Sequence, residues 1–295
     1  MRPDDILGEG FHLTRDPEAH FWRVTPTPSL ETLRDLYRHE FYAVDKPRYL
    51  EKTDSELAYW HAIWSIRLDL MAGLTGSPGR FLDIGASGGF LLAHARDRGW
   101  QVEGIEPSRQ SCAFAAERFQ LSLFEGYLED FDPETARFDA IHLSLVLEHV
   151  RDPRAFLAKA LSMLRPGGAI WVEVPNDFNQ LQQIITTQLD KPRWWVVPKH
   201  HLNYFDFDSL SRLLTQLGAE ECDRLASFPM ELFVLMGLDY IGNDNVGGQA
   251  HGYRMQLERH LLAGNRELLV NLYRRLAEMG LGRTCNLLAR KTLEQ

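Results

Sequence analysis

The chain has 295 residues, of which 44% are apolar and 25% charged, the composition of a globular protein long enough for a sizeable core. Its net charge of −9 excludes a molecule built to coat nucleic acid. Three isolated cysteines without a CxxC pair exclude a zinc ribbon or disulfide framework, and no apolar run is long enough to span a bilayer.

The N-terminal MRPDDILGEG is acidic and has no apolar core of a signal peptide, so the expected location is a reducing cytoplasm, with no membrane contact. Residues 1–55 are rich in aromatics and proline. Ser29 is placed to cap a helix running to about Glu40. Within this stretch Tyr42 is the candidate for closing over a ligand, although aromatic sets such as Tyr37, Phe41, Tyr42 and Tyr49 usually pack a core. Over 56–72, Leu57, Trp60, Ile63, Trp64, Arg67, Leu70 and Met71 recur near helical spacing.

From here the pattern alternates. Strands are expected at Phe81–Ile84, Gln101–Ile105, Phe138–Leu143 and Ala169–Val174, and helices at 89–98, 108–119 and 153–164. Such alternation predicts an α/β fold, a Rossmann-like doubly wound parallel sheet covered on both faces. Residues 176–205 include KPRWWVVPKHHLNYF and are long for a connection, so they read as a lid or acceptor loop. A helix at 208–217, a strand at 221–227, a helical stretch at 230–280 and a last strand at 284–290 complete the chain. The expected organisation is an N-terminal extension over 1–78, a core over 79–227 plus 283–295, and a helical insertion over 228–282 that serves as a lid or a homodimer surface. His251–Lys291 carries eight Lys or Arg against three Glu. The run Arg254, Arg259, Arg266, Arg274 and Arg275 reads as a solvated face before it reads as an anion site.

The stretch FLDIGASGGF (81–90) runs from a strand into a glycine turn. A dinucleotide fingerprint GxGxxG fails, because Ser87 and Phe90 stand where glycines belong; this weakens a nucleotide-sugar oxidoreductase or epimerase. A phosphate loop fails for want of a following Lys-Ser/Thr. A nucleoside without pyrophosphate fits better. S-adenosylmethionine presents an ammonium and ribose hydroxyls that want acidic acceptors, and glycines let the backbone lie against it. Asp83 ends the first strand, and Glu106 ends the next, where a carboxylate can accept both ribose hydroxyls.

Four blocks, FLDIGASGG (81–89), VEGIEPS (102–108), FDAIHLSLVLEHVRDP (138–153) and LRPGGAIWVEVPN (164–176), together resemble the class I S-adenosylmethionine-dependent methyltransferases. The sequence is similar in particular to a bacterial subgroup in which VPN (174–176) is followed by a segment like PKHHLNYF (198–205), and whose members often look like tailoring enzymes for sugars, surface glycans or secondary metabolites. The resemblance implies a seven-stranded sheet with the last strand antiparallel. It implies that Asp83, Gly85, Ala86, Ser87 and Gly88 line the methionine part of the cofactor and that Glu106 holds the ribose, beside Pro107 and Ser108. Tyr127 and Leu128 would flank the adenine, and Ser144 and Leu145 would lie near the sulfonium.

A hydroxyl acceptor also needs a base, and histidine suits neutral pH. His149, after the fourth strand, and His201, in the 176–205 loop, are the candidates. His200, Trp195, Asn176 and Tyr42 are candidate acceptor contacts; for Asn176 and Asp177 the competing role is a helix cap. The segment around Glu148 also resembles quinone-biosynthesis O-methyltransferases, in which a further Glu stands at the position of Leu145 and a divalent ion can be held. With leucine there, no metal is expected. The expected activity is methyl transfer to a hydroxyl of a small polar acceptor, against the alternatives of a C- or N-methyltransferase and a catalytically silent binding protein.

Overall fold

The computed structural model describes residues 6–7, 10–29, 31, 48–132 and 137–293. Tyr42 and most of the expected 29–40 helix lie outside the described residues. The chain opens with strands β1 (Ile6–Leu7), β2 (Phe11–Arg15) and β3 (Trp22–Thr25), which sequence reading did not anticipate. Helices α1 (Tyr49–Ser55) and α2 (Leu57–Thr75) follow, the second stopped by the left-handed Gly76.

The alternating region gives β4 (Arg80–Ile84), α3 (Phe90–Asp97), β5 (Gln101–Glu106), α4 (Arg109–Phe119), the short β6 (Phe124–Glu125), β7 (Phe138–Ser144), α5 (Pro153–Met163) and β8 (Leu164–Pro175). Local chemistry starts these helices. Ser108 accepts the amide of Ser111 at 3.3 Å, and Asp152 accepts that of Ala155 at 3.0 Å with Pro153 at the first helical position. The remainder is α6 (Gln180–Gln188), β9 (Asn203–Tyr204), α7 (Phe207–Gln216), β10 (Ala219–Ala226), α8 (Glu231–Leu235), α9 (Asp244–Glu278) and β11 (Thr284–Lys291). Within α9, Asn265 leaves helical geometry and caps the continuation by accepting the amide of Leu268 at 3.0 Å.

Seven strands form one sheet in the order β10-β11-β8-β7-β4-β5-β6. It is parallel from β7 through β4 and β5 to β6 and ends in antiparallel strands. The register sets Asp83 of β4 beside Gly104 of β5 on one side and His142 of β7 on the other. Phe81, Leu82, Ile84, Ile105, Ile141, Leu143, Trp171 and Val172 are fully buried along these strands, as expected for a sheet covered on both faces.

Two compact units emerge: Met1–Pro26, Glu173–Leu213 and Asp223–Leu287 form one, and Thr27–Val172, Leu214–Cys222 and Leu288–Gln295 the other. The first contains a small antiparallel sheet, β1-β2-β3-β9, with Trp22 opposite Tyr204. Its core joins Leu13, Val24, Trp195 and Tyr204, and Trp22, Phe178 and Trp194 pack against them. The second contains the glycine turn and the strand ends that flank it.

Candidate functional site

The turn after β4 is built by strained backbone. Gly85 has φ +78°, Gly89 has φ +73°, and Ser87, with a side chain, has φ +49°, a conformation that non-glycine residues adopt at a cost and often at functional sites. The turn is also closely packed. A Cβ on Gly85 would stand 2.5 Å from Val146 Cγ2, and one on Gly88 would stand 2.8 Å from Phe90 and 2.9 Å from Phe114. The amides of Gly85 and Ala86 both donate to the carbonyl of Ile105, at 2.9 and 3.0 Å, which joins the turn to the end of β5.

Glu106 stands at that strand end, 3% exposed. Its Oε2 accepts the amide of Ser87 at 2.8 Å and its Oε1 the amide of Ser108 at 2.9 Å. Burial pushes the carboxyl up to about 7, against the pull of those two amides. Each carboxylate oxygen retains a lone pair, so two adjacent ligand hydroxyls can still be accepted. The Ser87 hydroxyl is buried with no hydrogen-bond partner among the described residues, a further polar atom that a ligand would satisfy. The donor and acceptor set therefore fits a nucleoside with a free ribose diol. Pro107 is half-buried beside it. The amide of Gly126 donates to the Glu106 carbonyl at 3.1 Å, bringing Tyr127 and the buried Leu128 alongside the same strand end.

Two residues that sequence reading did not place in the site lie behind the turn. Asp83 Oδ1 is 2.7 Å from His142 Nδ1, and His142 Nε2 is 3.3 Å from an Arg67 guanidinium nitrogen. All three side chains are buried. The signals were a lone arginine on the apolar stripe of α2 and a lone histidine inside a buried strand.

The end of β7 lies in the same unit. Leu145 has φ +56° and is exposed, Ser144 is half-buried, and Val146 packs on Gly85 as described. A single 3-10 turn, Leu147–His149, follows. It buries Glu148 and leaves His149 partly exposed, with His149 Nε2 3.7 Å from Glu148 Oε1.

The other unit holds the remaining candidates. Asn176 and Asp177 do not cap α6; Asn179 does, accepting the amide of Gln182 at 3.1 Å. Asn176 instead donates its side-chain amide to the carbonyls of Gly280 and Gly282, both at 3.0 Å. Around it, Asn176 Oδ1, Asp177 Oδ2, Gln182 Oε1, Glu231 Oε2 and the Tyr240 hydroxyl are buried with no hydrogen-bond partner among the described residues. Burial pushes Asp177 up to about 8, with Arg283 opposing and Glu231 reinforcing. Trp195 is 5% exposed and packs edge-on against Trp194 and Phe178 at 4.8 and 5.7 Å, within the core of the small sheet. His200 and His201 are half-buried and both donate their amides to the carbonyl of Val197 at 2.9 Å. The basic run is largely paired: Arg274 with Asp223 at 2.7 Å, Arg275 with Glu278 at 2.7 Å and Arg254 with Glu258 at 3.7 Å.

A family described as a methyltransferase domain matches residues 58–221. The ubiquinone biosynthesis O-methyltransferase of Azoarcus sp. (strain BH72) is 32% identical over 133 residues, which cover 41% of this chain and 55% of that protein. Its namesake from Bradyrhizobium sp. (strain ORS 278) is 36% identical over 114 residues, covering 37% and 43%. The chain thus spans about half the length of the curated relatives it matches. Among solved structures, the plantazolicin methyltransferase BpumL, in complex with a monoazolic desmethylPZN analog and S-adenosylhomocysteine, superposes with a TM-score of 0.54 at 16% identity, over 89% of this chain and 96% of that one. The 1,6-didemethyltoxoflavin-N1-methyltransferase of Burkholderia thailandensis gives 0.50 at 16% identity, over 97% of each chain. At these identities the likeness is one of fold. With the domain match, the wound sheet and the carboxylate pinned at its glycine turn, this chain belongs to the class I S-adenosylmethionine-dependent methyltransferases.

Proposed function

We propose that the chain transfers a methyl group to a hydroxyl of a small polar acceptor: a sugar, a glycan precursor or a natural product. The observation that carries this reading is the Glu106 carboxylate, buried at a strand end and held by the amides of Ser87 and Ser108. When bound, S-adenosylmethionine supplies a methyl carbon already activated by its sulfonium. Glu106 accepts the ribose hydroxyls, with Pro107 and Ser108 beside it. Asp83 accepts from the methionine ammonium, and Gly85, Ala86, Ser87 and Gly88 present backbone to the same end. Tyr127 and Leu128 border the adenine, and Ser144 and Leu145 the sulfonium side.

Much of the acceleration in such a displacement comes from alignment and exclusion of water. His149 is the proposed base for the acceptor hydroxyl, with the buried Glu148 3.7 Å from its Nε2 to orient the ring. His201, in the other unit, is a second candidate base, and His200 and Asn176 candidate acceptor contacts. The unpartnered buried oxygens around Asn176 and Asp177 support an acceptor rich in hydrogen-bond donors. The curated relatives are named O-methyltransferases, which supports oxygen as the acceptor atom.

Two measurements test the reading. Calorimetry should show binding of S-adenosylhomocysteine and none of NAD. Incubation with methyl-labelled cofactor and fractionated extract should label a hydroxyl-bearing small molecule. Cofactor binding with no transfer would make the chain a silent binder, and transfer to nitrogen or carbon would change the acceptor class.

A further inference from the structure

We infer that Arg67 and His142 are positioning residues for the amino-acid end of the cofactor, acting through the carboxylate of Asp83. The inference rests on the proposed placement of Asp83 against the methionine ammonium. Arg67 lies on α2, outside the glycine turn and outside the four sequence blocks. A guanidinium only donates hydrogen bonds, so His142 Nε2, 3.3 Å from Arg67, is the acceptor. The ring proton therefore sits on Nδ1 and is donated to Asp83 Oδ1 at 2.7 Å.

The result is a directed chain from guanidinium through imidazole to carboxylate. It crosses from α2 to β7 to β4, through residues 9%, 3% and 4% exposed. The sheet register builds half of it, since Asp83 and His142 are paired neighbours on parallel strands. Packing holds the rest: Arg67 lies over the Trp171 ring at 5.6 Å, and His142 stacks on Phe81 at 6.3 Å. A buried guanidinium and a buried carboxylate each need compensation, and the neutral ring links the two. The imidazole commits Oδ1 and so sets the carboxylate plane. Oδ2 makes no hydrogen bond with any described residue and is the oxygen available to an ammonium. The role of α2 is thus to orient an acceptor at the glycine turn as well as to cover the sheet.

The test compares two ligands by calorimetry on the full chain: S-adenosylhomocysteine, and 5′-methylthioadenosine, which lacks the amino-acid end. Asp83→Asn should weaken the first by about tenfold or more and leave the second within about twofold. Arg67→Met and His142→Leu should show the same selective loss, and His142→Asn, whose side-chain amide can donate near the place of Nδ1, should bind S-adenosylhomocysteine within about threefold of wild type. If His142→Leu does not fold, as judged by its ligand-free melt, Arg67→Met and His142→Asn decide the matter. Equal weakening of both ligands by Arg67→Met would reduce the chain to a structural support, and unchanged binding would remove it altogether. Should Asp83→Asn be selective while the other variants are not, the relay falls and the placement of Asp83 stands. Should Asp83→Asn be unselective, both fall.

Discussion

Ser87 donates its backbone amide to Glu106 Oε2 at 2.8 Å, across 19 residues of chain. The bond ties the glycine turn, in which Ser87 has φ +49°, to the neighbouring strand end. Removing the charge weakens both the turn and the ligand contacts. Glu106→Gln should lower affinity for S-adenosylhomocysteine by about 10–100-fold, the loss of one or two charge-assisted hydrogen bonds. Calorimetry on a variant shown to melt near wild type measures it.

The same carboxyl makes binding and stability depend on pH in opposite directions. Burial raises Glu106 from an ordinary 4.5 to about 7, and only the ionised form offers all its acceptors to a ribose. Affinity for S-adenosylhomocysteine should therefore climb as pH rises through about 7, and the Glu106→Gln variant should lose that slope. For the ligand-free protein the sign reverses. Between 4.5 and 7 the folded state holds a proton that the unfolded state has released, so stability falls with rising pH, by about 3 kcal/mol when the group is fully ionised. Asp177, raised from 3.8 to about 8, adds a loss of the same sign. Asp177→Asn should thus gain on wild type in melting temperature at pH 9 and differ little at pH 4. A gain at pH 4 that vanished at pH 9 would contradict the assignment.

Gly85 carries both a positive φ of +78° and a neighbour, Val146 Cγ2, 2.5 Å from where a Cβ would stand. Gly85→Ala should destabilise the protein by about 1–3 kcal/mol, from backbone strain plus overpacking. Gly85→Ala combined with Val146→Ala should recover the packing part only. Thermal melts of the single and double variants separate the two contributions.

The histidines divide by what each variant leaves intact. His149→Ala and His201→Ala should both keep affinity for S-adenosylhomocysteine within about threefold, and the one that removes the base, His149 on the proposed reading, should lower methyl transfer by about 100-fold. Label transfer to the extract fraction, measured beside calorimetry, shows which of the two takes the proton. Turnover equal to wild type in either variant removes that residue from the mechanism.

With Leu145 standing where a ligating glutamate would be, methyl transfer should also be unchanged by a strong chelator. A strict magnesium requirement would restore a metal to the site.

Periodicity and turn chemistry made the wound sheet legible. Apolar strand runs alternating with segments of helical length are local signals that act within a few residues. The glycine turn and Glu106 were legible for the same reason, since their spacing along β4, α3 and β5 is a property of the chain. The small sheet of β1, β2, β3 and β9 was not, because Trp22 meets Tyr204 across most of the sequence, and no local pattern specifies so distant a partner. The packing of Trp195 against Leu13, Val24 and Tyr204 was hidden for the same reason. Asn179 took the cap that Asn176 and Asp177 equally suited, because α6 begins at Gln180 and the Asn176 amide is engaged by Gly280 and Gly282.

By itself, then, the sequence determined the alternation of strands and helices from β4 to β8, the glycine turn and the place of Glu106 at the end of β5, because these depend on short-range sterics and hydrogen bonding. Tertiary structure alone decided that Arg67 reaches Asp83 through His142 and that Asp177 lies buried beside Glu231 and Arg283. Those relations join distant segments, and only burial of the intervening apolar faces brings such polar groups within hydrogen-bonding and Coulombic range.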